Sequence, residues 1–183
     1  SISISGIMFD HIGWENDSLT VVFPSHKGDQ EGKHADPKHC YANRQYPSIC
    51  PVLALAVFVF TIGLRGAGSS RLLFACDGKA ESRFSKWLRQ VCGTLAADLV
   101  LMGLIIIDIG SHSFRKGIAT FLSAMPGGPS AIAIYLRAGW SLGPVQSRYI
   151  LNGGGGDQLC GRAATGISMN DASFADLPPH FDL

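Results

Sequence analysis

Four features of the chain bring together residue types able to act on a phosphate or another anion. His112-Ser113-Phe114-Arg115 sets an imidazole and a guanidinium three positions apart. On a helix that spacing puts both on one face, where they can reach the same anion. Gly139-Trp140 places an indole N–H 25 residues after Arg115, and Tyr149 offers a phenol nine residues further on. Lys27 lies far upstream, just after a β-prone run and at the tip of the expected first β-hairpin. Taken singly, each has an ordinary explanation: a capping histidine, a surface arginine, a core aromatic, a solvated lysine.

The elements that must hold these residues are a small sheet and then helices. Ile4 to His11 and Leu19 to Phe23 are short β-prone runs separated by the turn-like Glu15-Asn16-Asp17-Ser18. Lys38 to Ala42 is a candidate third strand beyond a polar stretch closed by Pro37. Cys50-Pro51 opens an apolar helix to about Ile62, with proline at a first-turn position where its missing N–H costs nothing. Gly63 to Ser70 reads as a loop and Leu72 to Ala75 as a short extended piece. Lys79 to Ala97 spaces Phe84, Trp87, Leu88, Val91 and Leu95 at helical intervals. Further helices are expected over His112 to Ala124, Ser130 to Ala138 and Leu142 to Leu151, the last stopped by Gly153 to Gly156. The fold class this implies is α+β, mainly α: a small antiparallel sheet on the N-terminal side followed by a helical bundle.

Composition narrows the class. The 183 residues are 46% hydrophobic and 16% charged, enough apolar matter for a packed core and too much for a disordered tail. The apolar runs Val52 to Leu64 and Leu99 to Ile109 fall short of the roughly 20 residues that span a bilayer, so no membrane association is expected. Ser1 opens in the middle of an apolar alternation, the pattern of a fragment of a longer protein, and no signal peptide is visible. Five widely spaced cysteines suggest neither a disulfide framework nor paired metal ligands and fit a reducing compartment. His34, His39, Cys40 and Cys50 match no common zinc spacing, so neither metal nor cofactor is expected. Net charge is only +1, yet residues 18–150 hold 14 of the 15 basic residues against seven acids, a surplus of +7 between acidic ends. Such a body can present a phosphate-binding face, although scattered solvated cations would give the same count.

The ordered set Lys27, His112, Arg115, Trp140 and Tyr149, at intervals of 85, 3, 25 and 9 residues, resembles the tyrosine recombinase (phage-integrase-like) family. That family pairs a hairpin lysine with an H-x-x-R box opening a helix, then a Gly-His or Gly-Trp pair and a nucleophilic tyrosine. The resemblance covers roughly residues 1–152, expected to be a catalytic domain, with 153–183 a glycine-rich linker and C-terminal tail. The wording His112-Ser-Phe-Arg-Lys-Gly, Arg137-Ala-Gly-Trp-Ser and the closing Leu-Pro-Pro-His-Phe is similar to recombinases of Crypton-like and related eukaryotic mobile elements. That narrower likeness implies a nuclear protein.

The resemblance implies a role for each residue. Tyr149 would attack a DNA phosphodiester, forming a 3′-phosphotyrosine and releasing a 5′-hydroxyl, so that resealing needs neither ATP nor metal. Arg115 would offer its planar fork to the charge gathering on the non-bridging oxygens. His112 would donate a hydrogen bond or shuttle the phenol proton. Trp140 would give an indole N–H and an apolar surface to the tyrosine segment, and Lys27 would protonate the departing 5′ oxygen. Double-stranded DNA is the implied partner, with self-association into a synaptic tetramer in the full-length protein.

One departure stands out. The family's other arginine precedes the first strand, so its counterpart would lie upstream of Ser1. Thr61-Ile62-Gly63-Leu64-Arg65 looks like its surroundings but falls after Lys27, out of order. Two alternatives therefore stay open: a catalytically decayed DNA-binding remnant of a mobile-element recombinase, and a type IB topoisomerase-like nicking-closing activity that uses the same groups.

Overall fold

The computed structural model describes residues 7–23, 36–62, 73, 80–140 and 154–168. Within them lie three strands and six α-helices, a mainly helical α+β architecture with a small antiparallel sheet. The strands β1 (Ile12–Glu15), β2 (Ser18–Val21) and β3 (Lys38–Cys40) form a meander in the order β1-β2-β3. The helices are α1 (Pro51–Ile62), α2 (Ala80–Thr94), α3 (Ala96–Leu101), α4 (Ser111–Ala124), α5 (Ala131–Arg137) and α6 (Gly154–Ala164).

The β1–β2 turn explains where the sheet begins. Asn16 takes the left-handed conformation (φ 52°), which asparagine tolerates better than most residues. Ser18 Oγ donates to Glu15 O at 3.0 Å and Trp14 Nε1 donates to Asn16 O at 2.7 Å, so the tip is held by its own side chains. Glu15 thus pairs with Ser18, and Ile12 with Val21. The first strand sits later than the run Ile4 to His11 suggests. His11 Nδ1 accepts from the Met8 N–H, and Phe9–His11 curls into a 3-10 turn instead.

This register also relocates the hairpin expected to carry Lys27. The first hairpin closes at Asn16-Asp17; Val21 then pairs with Lys38 across the second connection, so Lys27 belongs in sequence to the β2–β3 link. Lys27 itself lies outside the described residues.

The helical readings hold with local adjustments. Pro51–Ile62 begins at the proline, and Ser130 caps α5 by accepting from the Ala133 N–H at 3.2 Å. The single helix expected from Lys79 to Ala97 breaks at Leu95, which leaves helical geometry between α2 and α3. Of its five expected apolar positions only Leu88 is buried, joined by Cys92; Phe84, Trp87 and Leu95 are exposed. The run Leu99 to Ile109 likewise leaves Leu101 and Ile107 largely in solvent. No described helix is long and apolar enough to cross a membrane.

The largest correction concerns the glycine run. Glycines 153–156 were expected to stop a helix and begin a linker; Gly154 instead opens α6, which supplies the two most buried side chains of the core, Cys160 and Ala163. They pack with Ala119 and Leu122 of α4 and Ile134 of α5. Glycine is needed because α6 lies against its neighbours almost backbone to backbone. A Cβ on Gly161 would stand 2.5 Å from His39 O and 3.0 Å from the Tyr41 ring, and one on Gly156 would stand 3.2 Å from Ala133 Cβ. Close packing overrides poor helix propensity. The stretch Leu142 to Leu151, read as a helix, and the tail beyond residue 168 lie outside the described residues.

Candidate functional site

His112 lies in the first turn of α4 and Arg115 just beyond it, and both are exposed. The helix starts here because Gly110 adopts an extended conformation. Ser113 Oγ accepts from the Gly110 N–H at 3.0 Å while donating to Asp108 O at 3.2 Å. These bonds satisfy part of the open backbone at the helix start. Aromatic contact fixes the same turn against α2: the Phe114 ring lies 6.0 Å from Phe84, itself 5.7 Å from Trp87.

Helical spacing places His112, Arg115, Ala119 and Leu122 on one stripe of α4. Its lower part, Ala119 and Leu122, is buried against α5 and α6. The histidine and arginine therefore continue the core-facing stripe past the point where the core ends.

An open cleft of about 420 Å³ adjoins this turn, lined by Ser85, Leu88 and Arg89 of α2 and by residues 108–113 and Lys116. His112 and Lys116 belong to its wall, whereas Arg115 falls outside the lining. Arg89, His112, Arg115 and Lys116, together with Lys86, make no ion pair among the described residues. Asp108 is the one acid in the lining. Cations gathered beside the N-terminal start of α4 suit an anionic ligand.

Trp140 follows the left-handed Gly139 (φ 69°) that ends α5, and its backbone N–H donates to Tyr135 O at 3.0 Å. Its ring packs edge-on against Tyr135, 4.9 Å between centroids. Among the described residues no hydrogen bond or ring contact joins Trp140 to His112 or Arg115. Tyr149, like Lys27, lies outside the described residues. Of the five residues singled out from sequence, the structure thus puts His112 and Arg115 on one face of α4 and places Trp140 three residues beyond the end of α5, a helix packed in the same core.

A second constellation, between the sheet and α6, escapes sequence reasoning. His39, set beside Cys40 and Cys50 as a weak metal candidate, is 1% exposed and has both ring nitrogens engaged. Nδ1 faces Asp157 Oδ2 at 3.1 Å and Nε2 faces Glu15 Oε2 at 3.3 Å. The His39 backbone N–H donates to the same Asp157 oxygen at 2.7 Å. Arg137 closes the arrangement: Nη1 donates to Asp157 Oδ2 at 2.8 Å and Nη2 to His39 O at 2.8 Å. Lys38 Nζ lies 3.9 Å from Asp157 Oδ1. Cys50 Sγ accepts from the backbone N–H groups of Asn43 and Leu53. No group of three or more potential metal ligands occurs among the described residues. The thiol of neighbouring Cys40 is pushed up chiefly by burial, partly offset by the Arg137 charge. The only sequence signal for this network was the polar composition of Lys38-His39-Cys40, which ordinary patterning assigns to an exposed edge.

Compared with known proteins, the chain matches no family model, no curated protein and no solved structure.

Proposed function

We propose that this chain is the DNA breaking-and-rejoining domain of a tyrosine recombinase, acting through Tyr149 and a covalent 3′-phosphotyrosine intermediate. The reading is carried by one observation: His112 and Arg115 are exposed, three positions apart on one face at the start of α4, with Arg89 and Lys116, which make no ion pair among the described residues, nearby. A phosphodiester approaching this turn meets a planar guanidinium, an imidazole able to donate or accept, and the partial positive charge of a helix start. Developing charge on the non-bridging oxygens is what such fixed donors stabilise, each worth about 10²–10³ in rate. The order of Lys27, Trp140 and Tyr149 around this pair supplies the general acid, the indole donor and the nucleophile of the proposed reaction. The same reading takes double-stranded DNA as the ligand and a mobile-element recombinase as the parent protein, with recombination by a synaptic assembly.

The test is a nicked suicide DNA duplex offered to the full-length protein. A covalent protein–DNA adduct that disappears in Tyr149→Phe and falls steeply in Arg115→Ala supports the proposal. DNA binding without an adduct under any condition refutes catalysis and leaves a DNA-binding remnant. Relaxation of supercoiled DNA with no joining of two duplexes points to nicking-closing activity instead.

A further inference from the structure

We infer that the crossing of α2 and α4 is a docking surface for unpaired bases of a DNA strand, its exposed rings taking the base faces and its cations the phosphates. The inference goes beyond the recombinase reading and needs neither Lys27 nor Tyr149. It concerns what is bound, whether or not a strand is cut.

The rings come first. Phe84 and Trp87 stand three positions apart on α2, and Phe114 comes from α4. Centroid separations of 5.7 and 6.0 Å join them in a row, Trp87 to Phe84 to Phe114. Contact with one another does not hide them: they remain 54%, 40% and 57% exposed in that order. Ile118 and Phe121 prolong the apolar stripe along α4 and are themselves exposed. A single exposed apolar side chain is ordinary, whereas a contiguous set marks a surface that meets a partner.

Charge decides which partner. Lys86 and Arg89 bracket Trp87 in α2, and Arg115 and Lys116 follow Phe114 in α4. All four are exposed and make no ion pair among the described residues. The rings and the cleft share the helix crossing: Ser85 and Ser113, the chain neighbours of Phe84 and Phe114, both line the cleft beside Arg89, His112 and Lys116. Asp108 is the one acid in that lining. A second copy of this chain would bring the same cations face to face, an unfavourable match. A partner that alternates flat apolar faces with negative charge fits both halves. The unpaired nucleotide has that chemistry, its base stacking on a ring while its phosphate lies against a cation.

The ring planes favour a single strand over a duplex. Phe84 is inclined by 35° to Trp87 and by 55° to Phe114, so each ring offers its own face instead of one flat platform. Successive bases of a flexible strand can meet such faces separately. Paired bases cannot, because they already stack on one another and must leave the duplex to be reached. The cations serve both forms of DNA, and the rings only the unpaired one.

The experiment measures binding of a fluorescein-labelled single-stranded oligothymidine, and of a blunt duplex of equal length, to the protein and to Trp87→Ala, Trp87→Phe and Phe114→Ala. Each alanine variant is expected to bind the single strand on the order of tenfold more weakly. Its duplex affinity and melting temperature should stay close to the parent's, since exposed rings contribute little to the fold. Trp87→Phe keeps a stacking face and should retain most of the single-strand affinity. With unlabelled oligothymidine, stacking should quench part of the parent's tryptophan emission, and Trp87→Phe should abolish that quenching, leaving Trp14 and Trp140 as the emitters. No binding of the oligothymidine, equal losses on single strand and duplex, or single-strand affinity indifferent to the rings overturns the inference. So does an alanine variant that sediments as a monomer where the parent is a dimer, which assigns the rings to a second copy. Covalent adduct formation is read separately, so either this inference or the recombinase reading can fail alone.

Discussion

Arg137 Nη1 lies 2.8 Å from Asp157 Oδ2 and 3.1 Å from the backbone oxygen of the same residue, so one nitrogen grips both the side chain and the helix that bears it. The pair is only 20% and 11% exposed. Removing one member leaves the other charge behind in a poorly solvated place, which costs more than the bond itself contributes. Arg137→Ala is expected to destabilise the protein by about 3 kcal/mol, measured by urea unfolding. Because the pair joins α5 to α6 and β3 together, the loss should appear as a lower midpoint of a single transition. A midpoint unchanged from the parent would show the pair to be incidental.

The glycines of α6 and α2 should respond in opposite directions. Gly161→Ala sets a methyl 2.5 Å from His39 O, where backbone must move, and should cost about 1–3 kcal/mol. Gly93 in α2 has nothing within 4 Å of where its Cβ would stand. Gly93→Ala should therefore stabilise by about 0.5–1 kcal/mol through helix propensity alone. Melting temperatures of the two variants separate these effects, and a stabilised Gly161→Ala would contradict the close approach of α6 to β3.

The same contrast explains what the sequence could and could not disclose. Periodicity and capping residues locate α1, α4 and α5 to within a residue or two, because Pro51, Ser113 and Ser130 act on their own neighbours in the chain. The shared helix face of His112 and Arg115 was legible for that reason. Gly154–Gly156 read as a linker because local preference is all that sequence displays, whereas their helix is set by packing against Ala133, His39 and Tyr41. His39 was set aside because its spacing to His34, Cys40 and Cys50 matches no common zinc pattern; its partner in the fold, Asp157, is 118 residues away. Phe84 and Trp87 fall at helical intervals in the sequence, yet both are exposed, their rings in tilted contact with each other and Phe84 reaching Phe114.

A half-buried thiol, Cys40, and a buried one, Cys160, set a limit at high pH. Burial raises the Cys40 and Cys160 thiols above their ordinary value of about 9, the Arg137 charge partly opposing it in both. A group whose folded value is raised holds its proton more tightly in the native state. Its contribution is complete below the unfolded value and is lost as pH rises through the folded one. Stability should thus fall from about pH 9 upward, and a Cys40→Ala/Cys160→Ala variant should show a shallower decline than the parent. Both thiols should also react slowly with an aromatic disulfide reagent at neutral pH until the protein is unfolded. Rapid labelling of the native protein would contradict this.

Among the described residues, two sets of cations differ in their surroundings, and DNA binding should tell them apart. Arg137, Arg162 and Lys38 are committed: Arg162 Nη2 lies 3.0 Å from Asp17 Oδ2 with its guanidinium over the Tyr41 ring, and the other two face Asp157. Lys86, Arg89, Arg115 and Lys116 are exposed on α2 and α4 without an ion pair among the described residues. Each phosphate contacted by a cation releases a counterion, so the logarithm of affinity falls linearly with the logarithm of salt. Under the recombinase reading, Lys86→Ala and Lys116→Ala should each reduce that slope by about 1 and weaken binding to all sequences alike. Neither change should move the melting temperature much, because both side chains are exposed and make no ion pair among the described residues. Arg162→Ala should do the reverse, lowering the melting temperature while leaving the slope as it was, since its charge is already spent on Asp17 and Tyr41. A slope insensitive to both lysines would remove this face of α2 and α4 as the surface that meets the phosphates.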